Sequence, residues 1–310
     1  MSETVPTILR ALASSVAAAS KAGEIIKNVL TKGDLGIVDK GVNDLQTEAD
    51  RSAQKCIVQT LRSKFPGMTI IGEEDISLTA SVPSDWIVKD EPGFITSLSC
   101  PSNLHEITDK DIVAWVDPLD GTREFTEGFL DHVTVLIGLA VKGKPLCGVI
   151  HQPYYTEDGV VKGRTLWAVV GVGFGGFQLK PALNDKLIVT VTRSHSDKIL
   201  EDALIKLNPD GIVRVGGAGH KAIMLIEGIA HAYIVPTKGL KRWDTCAVEA
   251  ILESVGGKVT DIHGNKYVYS KETNASNDTG IIAAIDEISH KKCQSVFQEQ
   301  ENDAACSLKS

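Results

Sequence analysis

No stretch of this chain is apolar for long enough to cross a membrane; the longest apolar run, Val133 to Val141, falls far below about 18 residues. Positive charge is also scarce. Lys and Arg number 32 against 40 Asp and Glu, a net charge of −8 with a sequence pI near 5.5. Nucleic-acid polymers call for basic stripes and are therefore not expected as partners. Small anionic substrates remain open, because a bound cation inverts the local sign. The six cysteines (Cys56, Cys100, Cys147, Cys246, Cys293 and Cys306) show no C-x-x-C and no disulfide-dense spacing, which points to reduced thiols in a cytoplasmic protein. The alanine-rich start resembles a signal peptide only superficially. Glu3 precedes it, Arg10 interrupts it, and Ile8, Leu9, Leu12 and Val16 fall at helical spacing. The sequons at Asn274 and Asn277 carry no weight without a secretory signal, and Ser-Leu-Lys-Ser is not the peroxisomal tripeptide. No internal repeat and no low-complexity tract is present.

What is there is enough for two cores: 310 residues, 43% of them hydrophobic. Helical periodicity covers about 4–31. Thr47 followed by Asp50 predicts a capping-box start for a helix running to about Lys64, which Phe65-Pro-Gly67 ends. Met68 to Ile71 reads as a strand leading into Gly72-Glu73-Glu74-Asp75, and 76–111 as a long polar excursion. Strands are expected at 112–117, 132–141 and 146–151, with an antiparallel pair at 165–170 and 174–179. The character shifts around Pro181 to Asp185, which places a boundary between a 1–180 α+β domain and a 181–310 α/β domain. In the second, strands at 187–192, 211–215 and 231–235 alternate with helices at 196–207, 220–228 and 244–255. The tail from Lys291 is polar and expected to fray.

Two glycine-rich segments tempt a nucleotide-binding reading. Gly171-Val-Gly-Phe-Gly-Gly176 has the dinucleotide spacing, but the residues after it alternate like a strand, so a hairpin is expected. Val215-Gly-Gly-Ala-Gly219-His220-Lys221 lacks P-loop order. It lies between a strand and a helix start, where an anion site and a plain turn are equally good readings.

The chemistry begins at Asp117-Pro-Leu-Asp120-Gly-Thr122, at the end of the strand from Ile112. Alone, the sextet reads first as a surface turn, since Asp, Pro and Gly are ordinary turn residues. Its company changes that. Asp50, Glu73, the pair Asp117/Asp120 and Asp244 each fall at a strand end or a helix start, where α/β proteins place ligand chemistry. Hard oxygen donors suit Mg²⁺ rather than Zn²⁺. If they converge, they repel one another unless cations join them, and a two-metal site serves phosphoryl transfer.

Gly72-Glu73-Glu74, Trp115 to Thr122 and Trp243-Asp244-Thr-Cys-Ala resemble the three signatures of the inositol monophosphatase-like, lithium-sensitive, Mg²⁺-dependent phosphatases. Within that superfamily the resemblance is to the 3′(2′),5′-bisphosphate nucleotidases, through Asp34 to Val38, the long insert after Glu73, Thr192-Arg-Ser-His195 and Val215 to Gly219. The resemblance runs to about residue 285. It implies a layered αβαβα sandwich with the site between two domains, and two or three Mg²⁺ held by Glu73, Asp117, Asp120, Asp244 and the Leu119 carbonyl. It implies Asp50 and Thr122 as the activating pair, and Thr192, His195, Gly217, His220, Lys221 and Asp244 at the nucleotide. The expected reaction removes the 3′-phosphate of adenosine 3′,5′-bisphosphate to give AMP. The sulfated analogue and some inositol bisphosphates are implied as further substrates, with Li⁺ as inhibitor and a monomer as the working form. An inositol polyphosphate 1-phosphatase is the alternative. A dead metal or nucleotide sensor requires a missing ligand or base, and none is missing.

Overall fold

The computed structural model describes residues 5–41, 44–75, 82–181, 186–193 and 197–307. Helix α1 (Thr7–Lys32) buries Ile8, Leu9, Leu12, Val16 and Ile26 along one face and stops at Gly33, whose φ of 81° suits the left-handed cap. Strands β1 (Val38–Gly41) and β2 (Asp44–Gln46) pair as a small hairpin. Helix α2 (Glu48–Lys64) starts on the expected capping box between Thr47 and Asp50. Strand β3 (Thr69–Gly72) follows, then the polar excursion, with short turns and one helical turn, α3 (Gly93–Thr96). The next segment holds β4 (Ile112–Asp120), α4 (Thr122–Glu127), β5 (Thr134–Val141) and β6 (Lys144–Gln152). A minor hairpin, β7 (Thr156–Glu157) with β8 (Val160–Val161), precedes β9 (Arg164–Val169) and β10 (Gly173–Gly175).

Beyond residue 186 come β11 (Ile188–Thr192), α5 (Lys198–Leu207), β12 (Gly211–Val215), α6 (Ala218–Ile226) and β13 (Ala232–Val235). Then follow α7 (Arg242–Ser254), β14 (Lys258–Thr260), β15 (Ile281–Ala284) and α8 (Glu287–Ser307). One sheet runs β10-β9-β6-β5-β4-β3, antiparallel except for β3 beside β4; the other runs β12-β11-β13-β15-β14 and is mixed.

Period-two alternation in the strands explains the stacking. Along β4, Ile112, Ala114 and Val116 pack with α1 and α2, whereas Trp115 packs with α6 and α7. In the second sheet Tyr233 and Ile281 join the α6/α7 layer, while Val189, Ile234 and Ile282 meet α5 and α8. The result is five layers, αβαβα, as the resemblance implied.

Three expectations need correcting. The strand expected at 174–179 ends at Gly175, although its hairpin with β9 is present, Gly173 opposite Val169. Strands β14 and β15 went unread. Residues 291–307 of the tail expected to fray lie within α8, where Cys293, Val296 and Phe297 recur at helical spacing and are buried against the second sheet; 308–310 lie outside the described residues.

Candidate functional site

Strand β4 ends in a bulge: Asp117 faces Leu136 but Asp120 faces Thr134, three steps on one strand against two on the other. A bulge leaves one residue unpaired and re-aims its neighbours, and Pro118, which has no N–H to give a ladder, sits inside it. The Leu119 N–H donates to Asp117 Oδ1 at 3.0 Å, which fixes that carboxylate. Asp120 is held from the other side of the cleft. Its Oδ1 accepts from the Ala218 N–H at 2.8 Å, and its Oδ2 from the Gly219 N–H at 2.8 Å and Thr134 Oγ1 at 2.6 Å. The Ala218 and Gly219 N–H groups belong to the first turn of α6, where a negative charge is favoured.

Helix α7 brings the third aspartate. It lies directly on Gly138 and Gly148, which face each other across β5 and β6. A methyl group at Gly148 would sit 2.4 Å from the Ala247 carbonyl oxygen, and one at Gly138 2.5 Å from Cys246 Sγ. Only glycine permits that approach, and it sets Asp244, in the first turn of α7, beside the β4 bulge. Among the described residues, one ligand atom each from Asp117, Asp120 and Asp244 lie within 4.8 Å of one another. Glu73 follows β3 and is anchored by its N–H to the Val116 carbonyl at 3.0 Å. Its carboxyl lines the same cleft, and its charge raises the proton affinity of Asp117.

The electrostatics fit a cation. Burial raises the carboxyls of Asp117 and Glu73 well above the usual range, and the neighbouring acids raise them further. Asp244 is pushed up to about 7 by burial and then by Asp120. Such a group is stable without protons only when a countercharge is bound. The donors are all carboxylate oxygens, which suits a hard divalent ion.

Asp50 and Thr122 meet beside this cluster. Thr122 Oγ1 stands 2.9 Å from Asp50 Oδ1 and 3.1 Å from the Leu119 carbonyl oxygen. Asp50 is fully buried, and its Oδ2 accepts from both the N–H and the hydroxyl of Thr47. Burial, the largest effect, pushes the Asp50 carboxyl up to about 6 against those hydrogen bonds. The helix cap read from the sequence thus also holds the Asp50 carboxylate against Thr122.

A cleft of about 700 Å³ opens over these groups. Glu73, Asp117, Leu119, Asp120, Thr122 and Asp244 line it, together with Thr192, Gly217 and Lys221. Gly217 has φ 72°, and a side chain there would press on the His132 carbonyl oxygen at 2.7 Å, so the backbone itself forms the wall. Lys221 is buried, its Nζ 2.9 Å from the Gly217 carbonyl oxygen. His220 is placed otherwise: its ring stacks on His132 at 4.5 Å, outside the cleft lining, and burial holds it down to about 4. His195 lies outside the described residues. The sequence reading missed Lys40, Arg123, Tyr233, Lys238 and Lys241, all of which line the cleft. Of these, Arg123 directly follows the Asp117–Thr122 motif and Lys241 lies three residues before Asp244; the other three adjoin no recognised motif. Lys40 arrives on the β1–β2 hairpin, its Nζ 3.0 Å from each Glu74 carboxylate oxygen.

The family model described as inositol monophosphatase family matches residues 9–299. The rat and human proteins named 3′(2′),5′-bisphosphate nucleotidase 1 are each 50% identical over 289 residues, covering 92% of this chain and 94% of theirs. Among solved structures, inositol monophosphatase II from Staphylococcus aureus superposes with a TM-score of 0.66 at 22% identity, covering 94% of each chain; that likeness speaks to the fold alone.

Proposed function

The chain belongs to the inositol monophosphatase family, and on that premise we propose that it is a 3′(2′),5′-bisphosphate nucleotidase. It removes the 3′-phosphate of adenosine 3′,5′-bisphosphate, giving AMP and phosphate. One juxtaposition carries the reading: the Asp117, Asp120 and Asp244 cluster beside a hydroxyl–carboxylate pair only 2.9 Å apart. Two rat and human relatives at 50% identity bear the nucleotidase name.

Glu73, Asp117, Asp120, Asp244 and the Leu119 carbonyl would hold Mg²⁺, as two or three ions. The ions would supply positive charge to the attacking and leaving oxygens and acidify water. Thr122 takes the proton of the attacking water through Oγ1 and passes its own to Asp50 Oδ1, a relay whose acceptor, near pKa 6, is ionised at neutral pH. The water oxygen bonds to phosphorus as the bond from phosphorus to the 3′-oxygen breaks, and the 3′-oxygen takes a proton from solvent to leave as the hydroxyl of AMP. Thr192, Gly217, Lys221 and His195 handle the nucleotide. Among the implied contacts that are described, His220 alone lies outside the cleft lining, its ring facing His132. We further read 1–180 and 181–310 as separate domains, with 3′-phosphoadenylyl sulfate and some inositol bisphosphates as additional substrates. Cytoplasmic placement and a monomer are part of the same reading. No described helix is long and apolar enough to cross a membrane.

Phosphate release from adenosine 3′,5′-bisphosphate by the wild type and by Asp117→Ala tests this. Release by the wild type alone is expected, and release by neither removes the enzyme assignment. Higher kcat/KM on inositol 1,4-bisphosphate in that assay would favour the 1-phosphatase alternative. Full activity in millimolar Li⁺ would remove the lithium expectation.

A further inference from the structure

The cleft contains a donor without an acceptor. Tyr233 lies in the interior of the second sheet, between β11 and β15, and its ring is only 1% exposed. Its neighbours Ala232 and Ile234 turn toward α5 and α8, so the Tyr233 ring turns toward α6, α7 and the cleft, which it lines. The Tyr233 hydroxyl is buried, yet it has no hydrogen-bond partner among the described residues. An unpaired buried hydroxyl is a net cost to the fold; Phe in its place would bury the same ring without it.

The surroundings say what the hydroxyl awaits. The Lys221 ammonium stands 5.1 Å from the Tyr233 ring centroid and donates a hydrogen bond to the Gly217 carbonyl. The acids closest in influence are Asp244 and Asp120, and with burial they keep the phenol protonated. A neutral O–H and a buried ammonium at one wall of a cleft make a donor pair for the oxygens of a tetrahedral anion.

We propose that Tyr233 is a substrate-contacting residue whose hydroxyl donates a hydrogen bond to a phosphoryl oxygen in the cleft, beside Lys221. This rests on the phosphatase reading of the cleft and extends it to a residue with no signature in the sequence.

Tyr233→Phe tests it through binding and stability as well as turnover. Calorimetric titration of inorganic phosphate into the Mg²⁺-supplemented protein should show affinity weakened about ten- to a hundredfold, the worth of a hydrogen bond to a charged group. The Tm should stay level or rise, since the unpaired hydroxyl is gone, and Mg²⁺ affinity without phosphate should be unchanged. Unchanged phosphate affinity overturns the proposal, as does a wild type that binds no phosphate. A lower Tm in the variant overturns it in favour of packing, and weaker Mg²⁺ binding in favour of carboxylate positioning. If the wild type binds phosphate and the variant does not, yet neither releases it from adenosine 3′,5′-bisphosphate, the nucleotide assignment fails and the Tyr233 contact stands.

Discussion

Helix α7 carries two carboxylates five residues apart, Asp244, half-buried in its first turn, and Glu249, fully buried in its middle, and both are pushed up to about 7. Burial is the largest cause for each. What surrounds them differs. Asp244 has a second acid, Asp120, as its next influence, and shares the 4.8 Å cluster with it and Asp117 in an open cleft. Glu249 is sealed, 1% exposed, and accepts a 2.6 Å hydrogen bond from the Tyr269 hydroxyl, with Lys266 Nζ 3.8 Å away. The Tyr269 carbonyl in turn receives the Trp115 indole N–H at 3.2 Å, which ties α7 to β4 just before the bulge. A raised carboxyl therefore does not identify a site by itself. Like charges gathered at a cavity suit a cation, whereas one neutral donor in a closed core makes a brace.

The largest expected effect breaks that contrast at its functional end. Asp244→Asn removes one carboxylate charge from the cluster while keeping shape, and on the proposed reading kcat/KM should fall on the order of a thousandfold, the several kcal/mol that metal assistance supplies. Glu249→Gln leaves the cluster intact and keeps an acceptor for Tyr269, so its kcat/KM should stay within a few fold of wild type. Steady-state phosphate release by both variants checks the pair. Equal losses would show that the two acids do the same work.

The same helix shows what sequence can reveal. Asp244 was legible because Trp243-Asp-Thr-Cys-Ala is a signature, and Asp50 because Thr47-x-x-Asp50 is a cap whichever role it serves. Strand β4 was legible from a continuous apolar run that ends in turn residues. Glu249 and Tyr269 carried no signal, since their meeting spans 20 residues and depends on how β14 and its loop return to α7. Nor did Gly138 and Gly148 stand out, although the closeness of α7 to the sheet rests on them. Strands β14 and β15 are three and four residues long, too short for alternation to register. Period-two alternation assigns Tyr233 a face but not the cavity on that face. Sequence thus shows residues whose local geometry is special, and hides those whose role arises only from packing.

Mg²⁺ sharpens the comparison at smaller scale. A ligand that binds only the folded chain stabilises it by RT ln(1 + [L]/Kd), about 2.7 kcal/mol at a hundredfold excess over Kd. Thermal unfolding should therefore shift upward with Mg²⁺ in the wild type and in Glu249→Gln alike. In Asp244→Asn the shift should be much reduced. A full shift in Asp244→Asn would mean that the ion binds elsewhere.

The smallest effect lies at Glu249 and is read by pH. Its folded value of about 7 stands above its ordinary 4.5, so between these values the folded state holds a proton that the unfolded state has released. The stabilisation is complete below about pH 4.5 and is lost as pH rises through about 7. Over pH 5.5 to 7 this amounts to about 1.5 kcal/mol. Asp50 and Asp244, raised to about 6 and about 7, add slopes of the same sign. The wild-type curve alone therefore cannot apportion the loss, but its difference from Glu249→Gln does. Urea unfolding at a series of pH values without divalent ions should give a shallower fall for Glu249→Gln than for wild type, with the two curves separating above pH 5.5. Parallel curves would mean that Glu249 is ionised in the fold, held so by Lys266 and Tyr269, and the brace would then be an ion pair rather than a protonated carboxyl.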